Sequence, residues 1–437
     1  HCAQLRAAAA GAFLARGPGR GRLREADRYL SEAWPRMKYR RRPDSERSSC
    51  HWGQLKLLES ELRCLLELLA SPEARPPPPR GHLVVYAGAA PGAHVPSLLR
   101  RFPCCRFELY DPASFDKSLV DFAATEDGRE RLTLVNGFFD DEQARQISAR
   151  EQPSLFFSDV RTADPTQMRF EEVEGYVERD MVKQKEWARL LRARLSVLKF
   201  RLPWGPGTTH YLRGKILVQA FPPCTSTEAR LVVPLEALDD AEVPYDQEAY
   251  EERLMHHNTI SRAYLYDHSV QVAGLDHCYD CAALAQTAQR FLEARPLLQR
   301  AAEGAAEPEP AGEASAEEVA EEIKALLAEI SSSGRTLETP YHVSSSRHAG
   351  RHFAKRSYYD SHGNDHFSAE APPQAAKRAR RRGGRAAGRP GRGGRRPGRR
   401  LPAGCRPGGR RVRQRPHTLR GRGPPPCVGG GVEEGGA

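Results

Sequence analysis

The chain has 437 residues, 39% of them hydrophobic, and a formal net charge of +11. That length can bury one large core or two smaller ones, and the absence of any run of eighteen apolar residues argues against a membrane-spanning helix. The charge is unevenly placed: residues 371–437 hold eighteen Arg, one Lys and two Glu, a net +17, which leaves −6 on the preceding 370 residues.

Residues 1–47, rich in Arg, Ala and Pro, predict a loosely ordered arm with some helix around Arg24 to Trp34. Its apolar run at 7–15 is Ala-dominated and leads into an Arg/Gly-rich stretch, so export is not expected. Leu55, Leu58, Leu62, Leu65 and Leu69 repeat at 3,4,3,4 spacing, which predicts a helix over 54–69 with one buried stripe. Strand-like runs follow at 83–87, 106–110, 132–135, 154–158, 195–200, 215–221 and 229–233. Helical stretches fit between most of them, the clearest at 176–194. This alternation implies an α/β fold with a mostly parallel sheet covered on both faces. The last two strands are separated only by PPCTSTE, too short for a helical crossover, so they should pair antiparallel. The final strand then begins at the edge where the others end.

Residues 248–300 read as helical. An acidic, Ala-rich segment follows, with a helix from about Ser315 to Ile330 whose start carries capping-box spacing in Ser315 and Glu318. The Arg/Gly/Pro repetition from about Ala371 cannot bury enough apolar surface to fold. The expected division is an arm (1–47), a main domain (48–302), the acidic segment (303–335) and a disordered basic tail (336–437). The ten cysteines are scattered without the density of a disulfide scaffold, which points to a reducing, intracellular setting. Cys278-Tyr-Asp-Cys281 has zinc or redox spacing. No second Cys/His pair follows at finger distance, so these read as structural thiols and no metal is expected.

Ligands of open α/β sheets bind beyond the carboxyl ends of the strands. The first strand, in VVYAGAAPGAH (84–94), delivers Gly88 to Gly92, and the second delivers Asp111, nineteen residues after Gly92. That spacing suits an acid holding a ribose diol. The loop reads GxxPG and not GxGxxG, which disfavours a dinucleotide oxidoreductase and fits another adenosine-bearing ligand better. A helix N-cap before Pro112 is an equally good local role for Asp111. Asp159 and Arg161 follow the fourth strand, Lys199 ends the fifth, Glu228 precedes the last, and Lys56 lies one turn into the first helix. Each alone reads as a capping or solvated residue. Three charged residues converging on one edge beside a nucleoside-type loop make a candidate site.

The motifs HWGQLKLL, VVYAGAAPGAH, SDVR, LKFRLPW and STEARLV, in that order, resemble the poxvirus cap-specific mRNA 2′-O-methyltransferases over roughly 36–300. Members of that family also serve as the small regulatory subunit of the viral poly(A) polymerase. The resemblance implies a Rossmann-like methyltransferase sheet of seven strands, the last antiparallel, with S-adenosyl-L-methionine (SAM) as donor. The Lys-Asp-Lys-Glu tetrad falls on Lys56, Asp159, Lys199 and Glu228, with Lys199 as the base that takes the ribose 2′-hydroxyl proton. Donor contacts fall on Gln54, Tyr86, Gly88, Gly92, Asp111, Phe139 and Asp159. Tyr39 and Trp204 match the rings that sandwich the methylated guanine, and Glu251 matches the acid at its edge. Arg201, Ser226, Thr227 and Glu228 complete the expected RNA contacts. The implied partners are m7G-capped mRNA, the catalytic poly(A) polymerase subunit in a heterodimer, and a viral RNA polymerase, with no membrane. The implied setting is the virion and host cytoplasm. Three positions depart from the family pattern: Ala113 replaces an arginine near the donor, Pro206 an acid near the cap, and Trp204 a phenylalanine.

A lysine acts as a base only if its pKa falls. Burial and the second cation Lys56 are expected to lower it, while Asp159 and Glu228 raise it. The tail admits two readings on its composition: an Arg/Gly run that binds RNA phosphates and stacks on bases, or compositional drift in an untethered terminus.

Overall fold

The computed structural model describes residues 21–39, 53–69, 78, 80–163, 168–223, 225–303 and 312–330. The chain falls into two units, His1–Pro372 and Pro373–Ala437, and the described residues all belong to the first. The apolar run at 7–15, the basic tail and Cys2, Cys50, Cys224, Cys405 and Cys427 lie outside them.

Nine strands and nine α-helices are described. The strands are β1 (His82–Ala87), β2 (Cys105–Asp111), β3 (Leu132–Asn136), β4 (Leu155–Ser158), β5 (Leu195–Phe200), β6 (Thr208–Tyr211), β7 (Lys215–Leu217), β8 (Ala229–Pro234) and β9 (Val243–Asp246). The helices are α1 (Gly53–Leu69), α2 (Val95–Arg101), α3 (Lys117–Ala123), α4 (Glu126–Arg131), α5 (Asp141–Arg150), α6 (Phe170–Leu191), α7 (Gln247–Thr259), α8 (Tyr279–Glu303) and α9 (Ala316–Ile330). None of these helices is long and apolar enough to cross a membrane.

Seven strands form one sheet in the order β3-β2-β1-β4-β5-β8-β7. The pairs β1–β2, β2–β3, β1–β4 and β4–β5 are parallel, whereas β8 runs antiparallel to both β5 and β7. This is the mostly parallel Rossmann-like sheet expected, with its last strand reversed. The order turns between β1 and β4, the switch point at which such sheets open a crevice. Both faces are covered: Tyr86 and Phe157, paired side by side, lie toward α1 through the Tyr86 hydroxyl bond to Glu61. Phe156, on the opposite pleat, meets Phe139, which in turn packs on Trp187 of α6.

Three expectations change. The run at 215–221 yields only three strand residues, because the chain leaves the sheet at Val218. There the N-terminal segment takes over: Leu30 N–H donates to Ile216 O and Val218 N–H to Arg28 O, closing the sheet's edge. The helix expected around Arg24 to Trp34 is one 3-10 turn at Glu25–Arg28. And α1 is not a one-stripe helix: fourteen of its seventeen residues are buried, including Glu59, Glu61 and Arg63. Such charges survive burial only when paired. Glu59 meets Arg28, Glu61 meets His94 and Tyr86, and Arg63 meets Glu25. The sequence reading also missed the ribbon formed by β6 and β9, which follows the β5 loop.

Ser315 caps α9 through the expected reciprocal bonds with Glu318. Glu322 and Glu329 of α9 hold Arg101 of α2, fastening the helix to the body.

Arg28 and Glu59 are both fully buried, and Glu59 also accepts from Thr287 Oγ1 at 2.8 Å. Arg28→Ala strands that carboxylate and is expected to cost about 3–5 kcal/mol. A urea-unfolding midpoint measures this loss; an unchanged midpoint would show that the N-terminal segment does not anchor the fold.

Candidate active site

Parallel strands deliver their last residues to one edge, and β8 delivers its first residues to the same edge because it runs the other way. In register, Lys199 of β5 lies opposite Arg230 of β8. Asp159 follows β4 directly, its N–H bonded to Ala87 O at the end of β1. Lys56, in the first turn of α1, approaches from outside the sheet.

All four tetrad positions meet. Lys199 Nζ lies 2.9 Å from Asp159 Oδ1 and 3.5 Å from Glu228 Oε2, while Lys56 Nζ lies 2.6 Å from Glu228 Oε1. Two further cations join them. Arg230 Nη2 is 2.7 Å from Asp159 Oδ1 and 3.7 Å from Glu228 Oε1, and Arg161 Nη2 is 3.0 Å from Glu228 Oε2. Four cations therefore share two carboxylates in a pocket where Lys199 is 8% exposed and Arg230 3%.

The resulting pKa values follow the geometry. Burial acts most strongly on Asp159 and favours its neutral form, but Arg230 and Lys199 outweigh it and hold the carboxyl below its ordinary range. Glu228 behaves likewise, with Lys199 and Lys56 overcoming burial. Lys199 is lowered, first by burial and next by Arg161, against the pull of Asp159 and Glu228; Arg230 adds to the lowering. Beyond the expected Lys56, which pairs with Glu228, the two arginines press on Lys199. The sequence contained a signal for Arg230, a charge inside the otherwise apolar strand ARLVVP, since a buried charge demands partners.

On the neighbouring side stands the GxxPG loop. Gly88 has φ +79°, and a Cβ there would lie 2.8 Å from Asp159 C and Val160 N, so the backbones approach as only glycine permits. At Gly92, with φ +69°, a Cβ would lie 2.8 Å from the Leu119 side chain and 3.1 Å from Ala89 O. Asp111 accepts from Ala90 N–H at 3.0 Å and Ala113 N–H at 2.8 Å. It is not a helix N-cap, because the helix after β2 begins at Lys117 with Asp116 as its cap; the Asp111 carboxylate instead closes the turn at Ala113 and ties the loop to β2. Burial raises its pKa, partly offset by those two N–H groups. Gln54 Oε1 accepts from the N–H and lies 2.8 Å from Nδ1 of His94, while Gln54 Nε2 is buried with no hydrogen-bond partner among the described residues. Ser158 Oγ is likewise buried and unpartnered. Two expected donor contacts are core side chains: Tyr86 donates to Glu61 Oε1 at 2.7 Å, and Phe139 packs between Tyr110, Phe156 and Trp187. The adjacent Phe138, which the sequence reading passed over, is 74% exposed.

A third group lies beyond β5. Tyr39 and Trp204 come together with ring centroids 5.8 Å apart and planes tilted by 42°. A flat base between two rings needs about 7 Å, twice a carbon–carbon contact, so a base would fit here only if the rings parted by roughly an ångström. Trp204 is fixed by its Nε1–H to Thr227 Oγ1 at 3.1 Å and its backbone N–H to Glu174 Oε2 at 2.9 Å. Glu174 also binds Arg201, whose guanidinium lies 4.7 Å from the Trp204 ring. Glu251 of α7 accepts from Gly205 N–H at 3.3 Å, and burial pushes its carboxyl up to about 7 against that N–H and Arg201. Ser226 Oγ accepts from Glu228 N–H, and Asn258 holds Ser226 O, so the turn before β8 is braced.

The family model described as poly A polymerase regulatory subunit matches residues 28–284. Two relatives named cap-specific mRNA (nucleoside-2′-O-)-methyltransferase, from the Lausanne and Uriarra strains of Myxoma virus, are each 27% identical over 252 residues, covering 52% of this chain and 68% of theirs. Among solved structures, bluetongue virus VP4, titled a multifunctional RNA-capping production line, is similar with a TM-score of 0.32 and 11% identity. That likeness covers 54% of this chain and spans 38% of the other.

Removing the Arg161 charge should raise the Lys199 pKa, since the guanidinium disfavours the ammonium form. Arg161→Gln followed by NMR titration of ¹³C-labelled lysines is expected to shift the Lys199 midpoint to higher pH. An unmoved midpoint would show that Arg161 does not press on Lys199.

Proposed function

From the chain's membership of the poly A polymerase regulatory subunit family, we propose that it methylates the ribose 2′-hydroxyl of the first transcribed nucleotide of m7G-capped mRNA and serves a poly(A) polymerase as its regulatory subunit. The observation that carries the enzymatic reading is the buried Lys199 amino group held between Asp159 and Glu228 at the carboxyl edge of the sheet.

SAM, when bound, supplies an electrophilic methyl group on a sulfonium. The fit of this chain to such a nucleoside donor rests on the bare Gly88–Gly92 turn, the unpartnered Gln54 Nε2 at its side and the Asp111 carboxylate at the end of β2. Gln54, Gly88, Gly92 and Asp111 would hold the donor through backbone and polar contacts. Tyr86 and Phe139 would shape the pocket from behind, as core side chains.

A ribose hydroxyl attacks well only as its proton is drawn off. Lys199, with its pKa lowered, accepts that proton at Nζ. Asp159 and Glu228 keep the amine in one position and stabilise the ammonium that forms. Lys56, paired with Glu228, fixes that carboxylate. Holding hydroxyl and methyl group in line contributes further. The Tyr39–Trp204 slot suits a cationic methylated guanine because the ring faces are electron-rich, and the Glu251 carboxylate sits near Gly205 at its rim. The regulatory role rests on the family match, and a purely RNA-holding subunit remains the alternative within the same family.

Lys199→Ala is expected to reduce methyl transfer at least about 100-fold while capped RNA binds nearly as before. Retained activity would sink the assignment of the base. Trp204→Ala is expected to weaken capped RNA about 5- to 150-fold, the loss of one base–ring stack, and uncapped RNA much less. Equal losses on both RNAs, in a filter-binding comparison, would rule out the cap slot.

A further inference from the structure

The loop between the 3-10 turn Ser261–Ala263 and α8 runs through residues 264–278 without helix or strand. Loops of that length inside a packed domain are uncommon and usually serve a function. At the loop's end the structure brings a third group to the two cysteines of Cys278-Tyr-Asp-Cys281. The donor atoms of Asp276, Cys278 and Cys281 all lie within 4.8 Å of one another. Both cysteines are fully buried.

We propose that Asp276, Cys278 and Cys281 form a zinc site that fastens the 264–278 loop to the first turn of α8. Zinc–sulfur bonds of about 2.3 Å and zinc–oxygen bonds near 2.1 Å place tetrahedral donors roughly 3.5–4 Å apart. The three groups therefore need only small movements to share one ion. Cys278 directly precedes α8 and Cys281 stands in its first turn, so the spacing of the two thiols closes over a single helical turn. The surrounding bonds suit ligation. Asp276 N–H donates to Cys281 Sγ at 3.3 Å, and Cys278 N–H donates to Asp276 Oδ1 at 2.8 Å, so backbone donors support both a sulfur and the carboxylate. Behind them His268 Nε2 lies 2.8 Å from Asp276 O and its ring stacks on His277 at 4.5 Å, holding the Asp276 backbone. Two soft thiolates select zinc over magnesium or calcium, and a water fills the fourth position. Anchored this way, the loop would fix Tyr279 and Asp280, which hold Val218 O and Arg262.

The test uses the full chain prepared in zinc-replete medium. Elemental analysis of the wild-type protein is expected to find stoichiometric zinc, absent from Cys278→Ser and Cys281→Ser. Replacement by cobalt(II) should give thiolate-to-cobalt charge-transfer absorption. Because a serine variant that fails to fold would also lose zinc, the wild type decides: a chelator should accelerate alkylation of Cys278 and Cys281 in the native protein, and added zinc should restore protection. Wild-type protein that holds no zinc and gives no thiolate–cobalt bands, or a Cys278–Cys281 disulfide that forms equally with zinc present, would overturn the site.

Discussion

Two carboxylates buried at the end of a β-sheet are costly unless cations meet them, and a buried ammonium is equally costly unless anions do. In this chain the same atoms answer both demands. Asp159 and Glu228 hold Lys199 between them, while Arg230 shares Asp159 Oδ1 with it, Arg161 shares Glu228 Oε2 with it and Lys56 takes Glu228 Oε1. The arrangement works only because β8 is reversed, which brings Glu228 and Arg230 to the edge where β4 and β5 deliver Asp159 and Lys199. An excess of positive charge is left around Lys199. That excess, together with burial, is what lowers its pKa although two carboxylates touch it.

Helix α1 links this cluster to the other parts of the site. Its first turn supplies Lys56 to the charge cluster and Gln54 to the glycine-rich turn, and its next turns carry Glu59, Glu61 and Arg63 into the core. Those buried charges recruit the N-terminal segment through Arg28 and Glu25, and that segment runs on to Tyr39 beside Trp204. The charge cluster, the glycine-rich turn and the Tyr39–Trp204 pair are therefore coupled through one helix with charged residues on several faces.

Much of this was legible in the sequence. Apolar strands alternating with helices gave the sheet, and the seven-residue spacing before ARLVV gave the reversed strand. Charged residues at strand ends gave the edge of the site. Three things were not legible. The leucine spacing of α1 cannot reveal that its polar faces are also covered, because that depends on Arg28 and Glu25, far away in sequence. Tyr86 and Phe139 match expected donor contacts, yet strand alternation turns the Tyr86 side chain into the core, and Phe139, in the loop after β3, packs on Tyr110, Phe156 and Trp187. And Asp276 joins Cys278 and Cys281 only through the way the loop folds back at the start of α8.

The central claim is that the Lys199 cluster deprotonates a ribose hydroxyl beside a methyl donor. The most direct test is methyl transfer from labelled SAM to short RNAs bearing a methylated-guanine cap, with either a 2′-hydroxyl or a 2′-deoxy first nucleotide. The account predicts label on the hydroxyl-bearing capped RNA alone. Label on the deoxy RNA as well, or none on either while capped RNA still binds, would contradict it.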